Sequence, residues 1–127
     1  MKNWIYFLLL VFSISMVACE KDNYGAPPFD PNKPVSFSKE VLPLFTTNCA
    51  KSSCHVPGAI APDLTPANAY DQLTGLGYVP TDGINAEKCK LYVIMMNASK
   101  PMPPAGKLPA SQTNLILGWI IQGAQNN

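Results

Sequence analysis

Thirteen of the 127 residues are proline, about twice the usual share of ~5%, and their placement decides what this chain can fold into. A proline inside a helix removes a backbone donor and collides with the carbonyl four residues back. Prolines cluster at 27, 28, 31 and 34, at 57, 62 and 66, and at 101, 103, 104 and 109, with single ones at 43 and 80. Between these clusters no long helix fits, and no stretch shows the apolar alternation of a strand. The pattern predicts an all-α domain of about four short helices joined by long Pro/Gly-rich loops.

Each helix has its own signals. The first is expected to start at Ser38, with Ser38 as N-cap and Phe37 stapled onto Leu42. Phe37, Val41, Leu44 and Phe45 form its apolar face, Pro43 bends it, and it runs into Cys49. Thr65-Pro66 predicts an N-cap and first turn for a helix over 67–74, which stops at Gly75. After a turn at 80–83, Asn85 caps a third helix over 86–96, with Met95 and Met96 in the core. The last helix spans 111–123. Its polar positions Asn114, Gly118 and Gln122 form one narrow stripe, so most of its circumference is expected to be buried. A core built from such pieces is marginal in a domain this small unless a bound group adds apolar surface.

The N-terminus reads as an address. Lys2 precedes an apolar run from Trp4 to Phe12 that is too short to cross a bilayer, which takes ~20 residues. Met16-Val17-Ala18-Cys19 resembles a bacterial lipobox. That resemblance implies a signal peptide over 1–18, lipid on Cys19 as the mature N-terminus, and anchorage to a bacterial membrane, expected to be the outer one, on its periplasmic or surface face. Glu20 and Asp22 resemble the surface-export signals of some lipoproteins. Residues 19–35 would then form a proline-rich tether, and 36–127 the folded domain. Export places the remaining cysteines in an oxidising compartment.

Charge removes several function classes. Only 13% of residues are charged and all nine basic residues are lysines. Without arginine or a basic run, no nucleic-acid surface is expected. The single histidine sits beside a cysteine, and no nucleophile elbow or phosphate loop is visible, so hydrolase chemistry has no support.

The chemistry lies in Cys49-Ala-Lys-Ser-Ser-Cys54-His55. The usual haem attachment has two residues between the cysteines and a histidine directly after the second; here the spacer has four. Adjacent side chains on a helical turn diverge by about 100°, so Cys54 can bond the edge of a macrocycle while His55 reaches its centre. The longer spacer must bulge if Cys49 is to reach a second edge position, and Ala50, Ser52 and Ser53 are small enough to allow it. Far downstream, Pro101-Met102-Pro103-Pro104 offers a thioether on a stiff loop as the second axial ligand.

These pieces, with Val41-Leu42-Pro43-Leu44-Phe45, Ala61-Pro62-Asp63-Leu64, Leu91-Tyr92, Trp119-Ile120 and Gly123-Ala124, resemble class I cytochrome c domains of the small bacterial lipoprotein type. The resemblance implies a cytochrome c fold around one haem c. Thioethers would form at Cys49 and Cys54, His55 and Met102 would be the iron ligands, and the Pro62 carbonyl would orient His55. The first and last helices would pack across each other. The implied function is single-electron transfer between redox partner proteins rather than enzymatic turnover, alone or as a subunit of a larger redox enzyme.

Cys89 is left over. It reads as a buried thiol, as half of an intermolecular disulfide, or as the partner of Cys49, which would leave Cys54 as the only thioether. A haem-free rival remains: an exported module stapled by a disulfide or binding zinc through Cys49, Cys54, Cys89 and His55. A sensor haem is a further option if Met102 dissociates easily.

Overall fold

The computed structural model describes residues 30–127. The expected signal peptide over 1–18, the expected lipidation site Cys19 and the first part of the expected tether lie outside the described residues. Among those described there are four α-helices and no strand: α1 (Leu42–Asn48), α2 (Ala69–Gly75), α3 (Lys90–Met96) and α4 (Ala110–Ile121). No helix among them is long and apolar enough to cross a membrane.

The first helical segment differs from expectation in its start. Phe37–Val41 forms a widened π-type turn that leads into α1. Pro43 falls in the first turn of α1, where it has no N–H to give to the preceding turn, and the wider turn absorbs that loss. The N-cap is Ser36 rather than Ser38: its hydroxyl accepts from the Lys39 N–H at 3.3 Å, and Glu40 Oε2 accepts the Ser36 N–H at 2.9 Å. Phe37, Val41 and Phe45 are buried as the periodicity requires, and Leu44 is half-buried.

Thr65 does not cap α2. Its hydroxyl donates to Asp63 Oδ1 at 2.7 Å, and the helix proper begins at Ala69 after a turn. The third helix is broken in two. Ala86–Lys88 is a single 3₁₀ turn, and Cys89, extended at φ −66° and ψ 154°, separates it from α3. The Leu91 N–H goes to the Tyr78 carbonyl at 3.0 Å instead of to its own helix. Met96, expected in the core, is 39% exposed, whereas Met95 is buried.

Helix α4 is the spine of the domain. Ile116, Trp119 and Ile120 are fully buried, together with Val41, Phe45 and Leu73 from the other elements. Of the expected polar stripe, Asn114 and Gln122 are half-buried and Gly118 is buried, while the apolar Ile121 is exposed. Phe37 lies against Trp119 with ring centroids 5.0 Å apart, so the 37–41 turn packs against the last helix. The end of α4 closes with Gly123 N–H to Ile120 O at 3.0 Å and Ala124 N–H to Trp119 O at 2.9 Å, the paired bonds of a Schellman turn. Gln122 reaches back to the tether, accepting the Val35 N–H and donating to the Lys33 carbonyl, both at 2.8 Å. Val35 is therefore buried, and the domain begins inside the segment expected to be tether.

Candidate functional site

Helix α1 ends at Cys49, whose N–H bonds the Phe45 carbonyl at 2.8 Å. The four-residue spacer folds back on itself. The Cys49 carbonyl accepts the N–H of Lys51 at 2.8 Å and of His55 at 3.2 Å, while Cys54 N–H reaches the Lys51 carbonyl at 2.9 Å. Lys51, Ser52 and Ser53 loop outward and are exposed, with Ser53 at φ 64°; Ala50 stays half-buried. The bulge returns the chain so that Cys49, Cys54 and His55 line one cavity.

The loop after His55 wraps its backbone around the imidazole. Nδ1 lies 3.0 Å from the Pro62 carbonyl and 3.1 Å from that of Ile60. Both partners are acceptors, so Nδ1 carries the proton and the Nε2 lone pair is left for a ligand bond. Asp63 braces this loop. Its carboxylate accepts the Thr65 N–H at 2.9 Å, the Thr65 hydroxyl at 2.7 Å and the Asn68 amide at 2.6 Å. The backbone bond from Thr65 is the main reason that its carboxyl is held below the ordinary range.

The facing wall comes from α3 and the loop that follows it. Leu91, Ile94 and Met95 line the cavity, and so do Met102, Pro103 and Pro104. The Met102 N–H bonds the Ile94 carbonyl at 3.3 Å, which ties the loop to the helix. The cavity holds about 250 Å³. It opens to solvent where Ile60 and Met102 are 60% and 39% exposed. Its lining is almost wholly apolar, as small-molecule sites usually are.

Cys49, Cys54 and Cys89 are all free thiols, so Cys49 is not paired with Cys89. Cys89 sits at the N-cap of α3 and is not among the residues lining the cavity. Burial, and secondarily the neighbouring Cys54, push the Cys49 thiol up to about 11. Burial also raises Cys89. Among the described residues no three or more His, Cys, Asp and Glu side chains gather where they could hold a metal ion. The Cys₃His zinc set is not assembled, and the disulfide staple is not formed.

The candidate residues Cys49, Cys54, His55, Pro62 and Met102 thus meet at one place. Among the contributors that sequence reasoning missed are Ile60 and Tyr78. The Ile60 carbonyl is a backbone group without a side-chain signal, and Tyr78 stands in a loop with no periodic pattern. No family model, no curated protein and no solved structure matches the chain.

Proposed function

We propose that this chain is a monohaem c-type cytochrome domain of the class I type, held to a bacterial membrane by lipid on Cys19, that passes single electrons between partner proteins. The observation that carries the reading is convergence. Two free thiols and one imidazole with its Nε2 unengaged, all from the 49–55 segment, line the same apolar cavity as the Met102 thioether, which comes from a loop far along the chain. That donor set suits an iron porphyrin better than a bare metal ion, because thiols and ligand nitrogen lie around a wide apolar space.

In this reading Cys49 and Cys54 would hold the macrocycle through thioether bonds, and His55 and Met102 would be the side chains that ligate its iron. Bound haem supplies a one-electron couple whose potential is set by the axial ligands. The protein's own part is to orient and to exclude. Pro62 and Ile60 fix the imidazole, the Asp63 brace fixes their loop, and Leu64, Leu91 and Ile94 keep water from the site. Two ligating side chains from the chain itself would suit an electron carrier.

The deciding experiment is mass analysis of the mature protein made in a host with haem-attachment machinery. One covalent haem per chain, surviving denaturation, is the expected result. A colourless protein without porphyrin mass that takes up one zinc would reinstate the haem-free rival.

A further inference from the structure

Three polar side chains between residues 65 and 72 converge on one residue. Thr65 and Asn68 lie on the approach to α2, where such residues usually cap a helix by accepting from its first N–H groups. Asn68 stands at the N-cap of α2 but makes no side-chain capping bond. Its amide donates instead to Asp63 Oδ2 at 2.6 Å, and the Thr65 hydroxyl donates to Asp63 Oδ1 at 2.7 Å. One turn further on, Gln72 Oε1 accepts the backbone N–H of Asp63 at 3.4 Å. Helix α2 thus starts without a side-chain cap, and its polar groups hold Asp63.

Asp63 matters through the peptide it shares with Pro62. The Asp63 N–H and the Pro62 carbonyl are the two ends of one planar unit, so turning one end turns the other. Gln72 holds the N–H end, and the carbonyl end accepts from His55 Nδ1 at 3.0 Å. Hydrogen bonds in series polarise one another, so an acceptor on the N–H makes the carbonyl a stronger acceptor. Pro62 is buried, and Asp63 and Gln72 are half-buried. Gln72 does not line the cavity, so its route to the imidazole runs through this peptide.

We infer that Gln72, with Asp63, is a positioning residue for His55. From helix α2 it sets the plane of the Pro62–Asp63 peptide, and through that peptide the tautomer and direction of the imidazole. The role belongs to the chain without haem; its effect on a reduction potential rests on the haem reading. A stronger acceptor on Nδ1 makes Nε2 a more basic ligand, and a more basic ligand favours the oxidised iron.

The test uses the full mature chain, first without haem. The chain has a single histidine, so nitrogen NMR reads one imidazole and gives its ratio of Nδ1–H to Nε2–H forms. The measurement is made at about pH 8, above the ordinary histidine value of ~6.5. The wild-type chain should be almost wholly Nδ1–H. Gln72→Met keeps the length and helix propensity but lacks the oxygen. It should shift the ratio about two- to tenfold toward Nε2–H, the usual worth of one hydrogen bond. Thr74→Ala removes a different bond of the same helix, from the Thr74 hydroxyl to the Tyr70 carbonyl at 2.9 Å, and should leave the ratio unchanged. In protein carrying haem, Gln72→Met should raise the reduction potential and Thr74→Ala should not. A wild-type ratio or a wild-type potential in Gln72→Met, or an equal shift in Thr74→Ala, would overturn the inference. So would a wild-type chain with no preference for Nδ1–H. The expected ratios in a chain that never takes up haem would overturn the haem reading and leave the positioning role standing.

Discussion

The Nδ1 atom of His55 sits between two carbonyls of its own following loop, Pro62 at 3.0 Å and Ile60 at 3.1 Å. Two acceptors on one ring nitrogen fix both the tautomer and the ring plane, so the other nitrogen can only accept or ligate. The loop that supplies these carbonyls is itself returned to the histidine by the Leu64 N–H, which bonds the His55 carbonyl at 2.9 Å. The imidazole is thus positioned by the chain before any ligand arrives.

If the chain carries haem as proposed, His55→Ala should leave covalent porphyrin in place, because Cys49 and Cys54 are untouched, but should remove the proposed nitrogen ligand. The expected outcome is loss of the low-spin visible spectrum with an unchanged haem mass. Absorption spectra and intact-protein mass on the same sample check it, and a spectrum identical to the wild type would show that His55 is not an axial ligand.

Two glycines separate backbone strain from crowding. Gly58 has φ +78° with nothing within 4 Å of a built Cβ, whereas Gly83, at φ +74°, would drive its Cβ into the Ile121 carbonyl oxygen. Gly58→Ala should cost only the left-handed backbone penalty, about 1 kcal/mol. Gly83→Ala adds a clash with the end of α4 and should cost about 2–4 kcal/mol. Urea unfolding midpoints of the two variants test the difference, and equal midpoints would mean that the 80–83 turn does not press on α4.

Asp63 gives the fold a pH dependence of known sign. The Thr65 N–H, and after it the Thr65 hydroxyl and the Asn68 amide, favour the charged form and outweigh desolvation, so the folded carboxyl titrates below its ordinary value. A depressed folded pKa contributes stability that is complete above the unfolded value of about 3.9. That contribution is lost as pH falls through the folded value. Asp63→Asn should therefore lower stability near neutrality and flatten its decline on acidification. Unfolding midpoints at about pH 5 and about pH 2.5 compare the two proteins; parallel declines would remove Asp63 as a source.

In the haem-free chain the Cys49 thiol should resist alkylation. A rise from 9.0 to about 11 cuts its thiolate fraction about a hundredfold near neutral pH. Native labelling at Cys49 should be slower than labelling in denaturant by about that factor. Cys54→Ser should recover only part of the rate, since burial is the larger cause. Peptide mass mapping over a time course reads both sites, and equal native and denatured rates would contradict the burial.

Much of this was legible from residue order alone. Proline placement and the i, i+4 pattern of Phe37, Val41 and Phe45 foretold the short helices and the buried face. The Cys-His pair, Pro62 and Met102 named the residues that line the cavity. What was not legible depended on tertiary contacts. Cys89 breaks the third helix because the Leu91 N–H is taken by Tyr78, a partner no local window contains. Ser36 replaces Ser38 as cap because Pro43 widens the preceding turn, a compensation invisible to propensity. The burial of Val35 follows from Gln122, far away in sequence, reaching back to the tether.

Two methionines border the cavity, and they differ in a way that tests the ligand assignment. Met95 is 4% exposed on α3, packed into the core, whereas Met102 is 39% exposed on a loop between prolines. A side chain packed in the core has little freedom to move toward a ligand, since its neighbours hold it in one rotamer. Met102 stands at the open rim, and its backbone is tied to Ile94 at 3.3 Å, so its thioether can reach inward without unpacking anything. In protein carrying haem, Met102→Ala should abolish the sulfur-to-iron absorption band of the oxidised form and lower the reduction potential, because a weak-field thioether no longer favours the reduced iron. Met95→Leu, nearly equal in volume, should keep the band and cost less than about 1.5 kcal/mol of stability. The reverse pattern, a band lost with Met95→Leu and kept with Met102→Ala, would move the ligand from the loop to the helix.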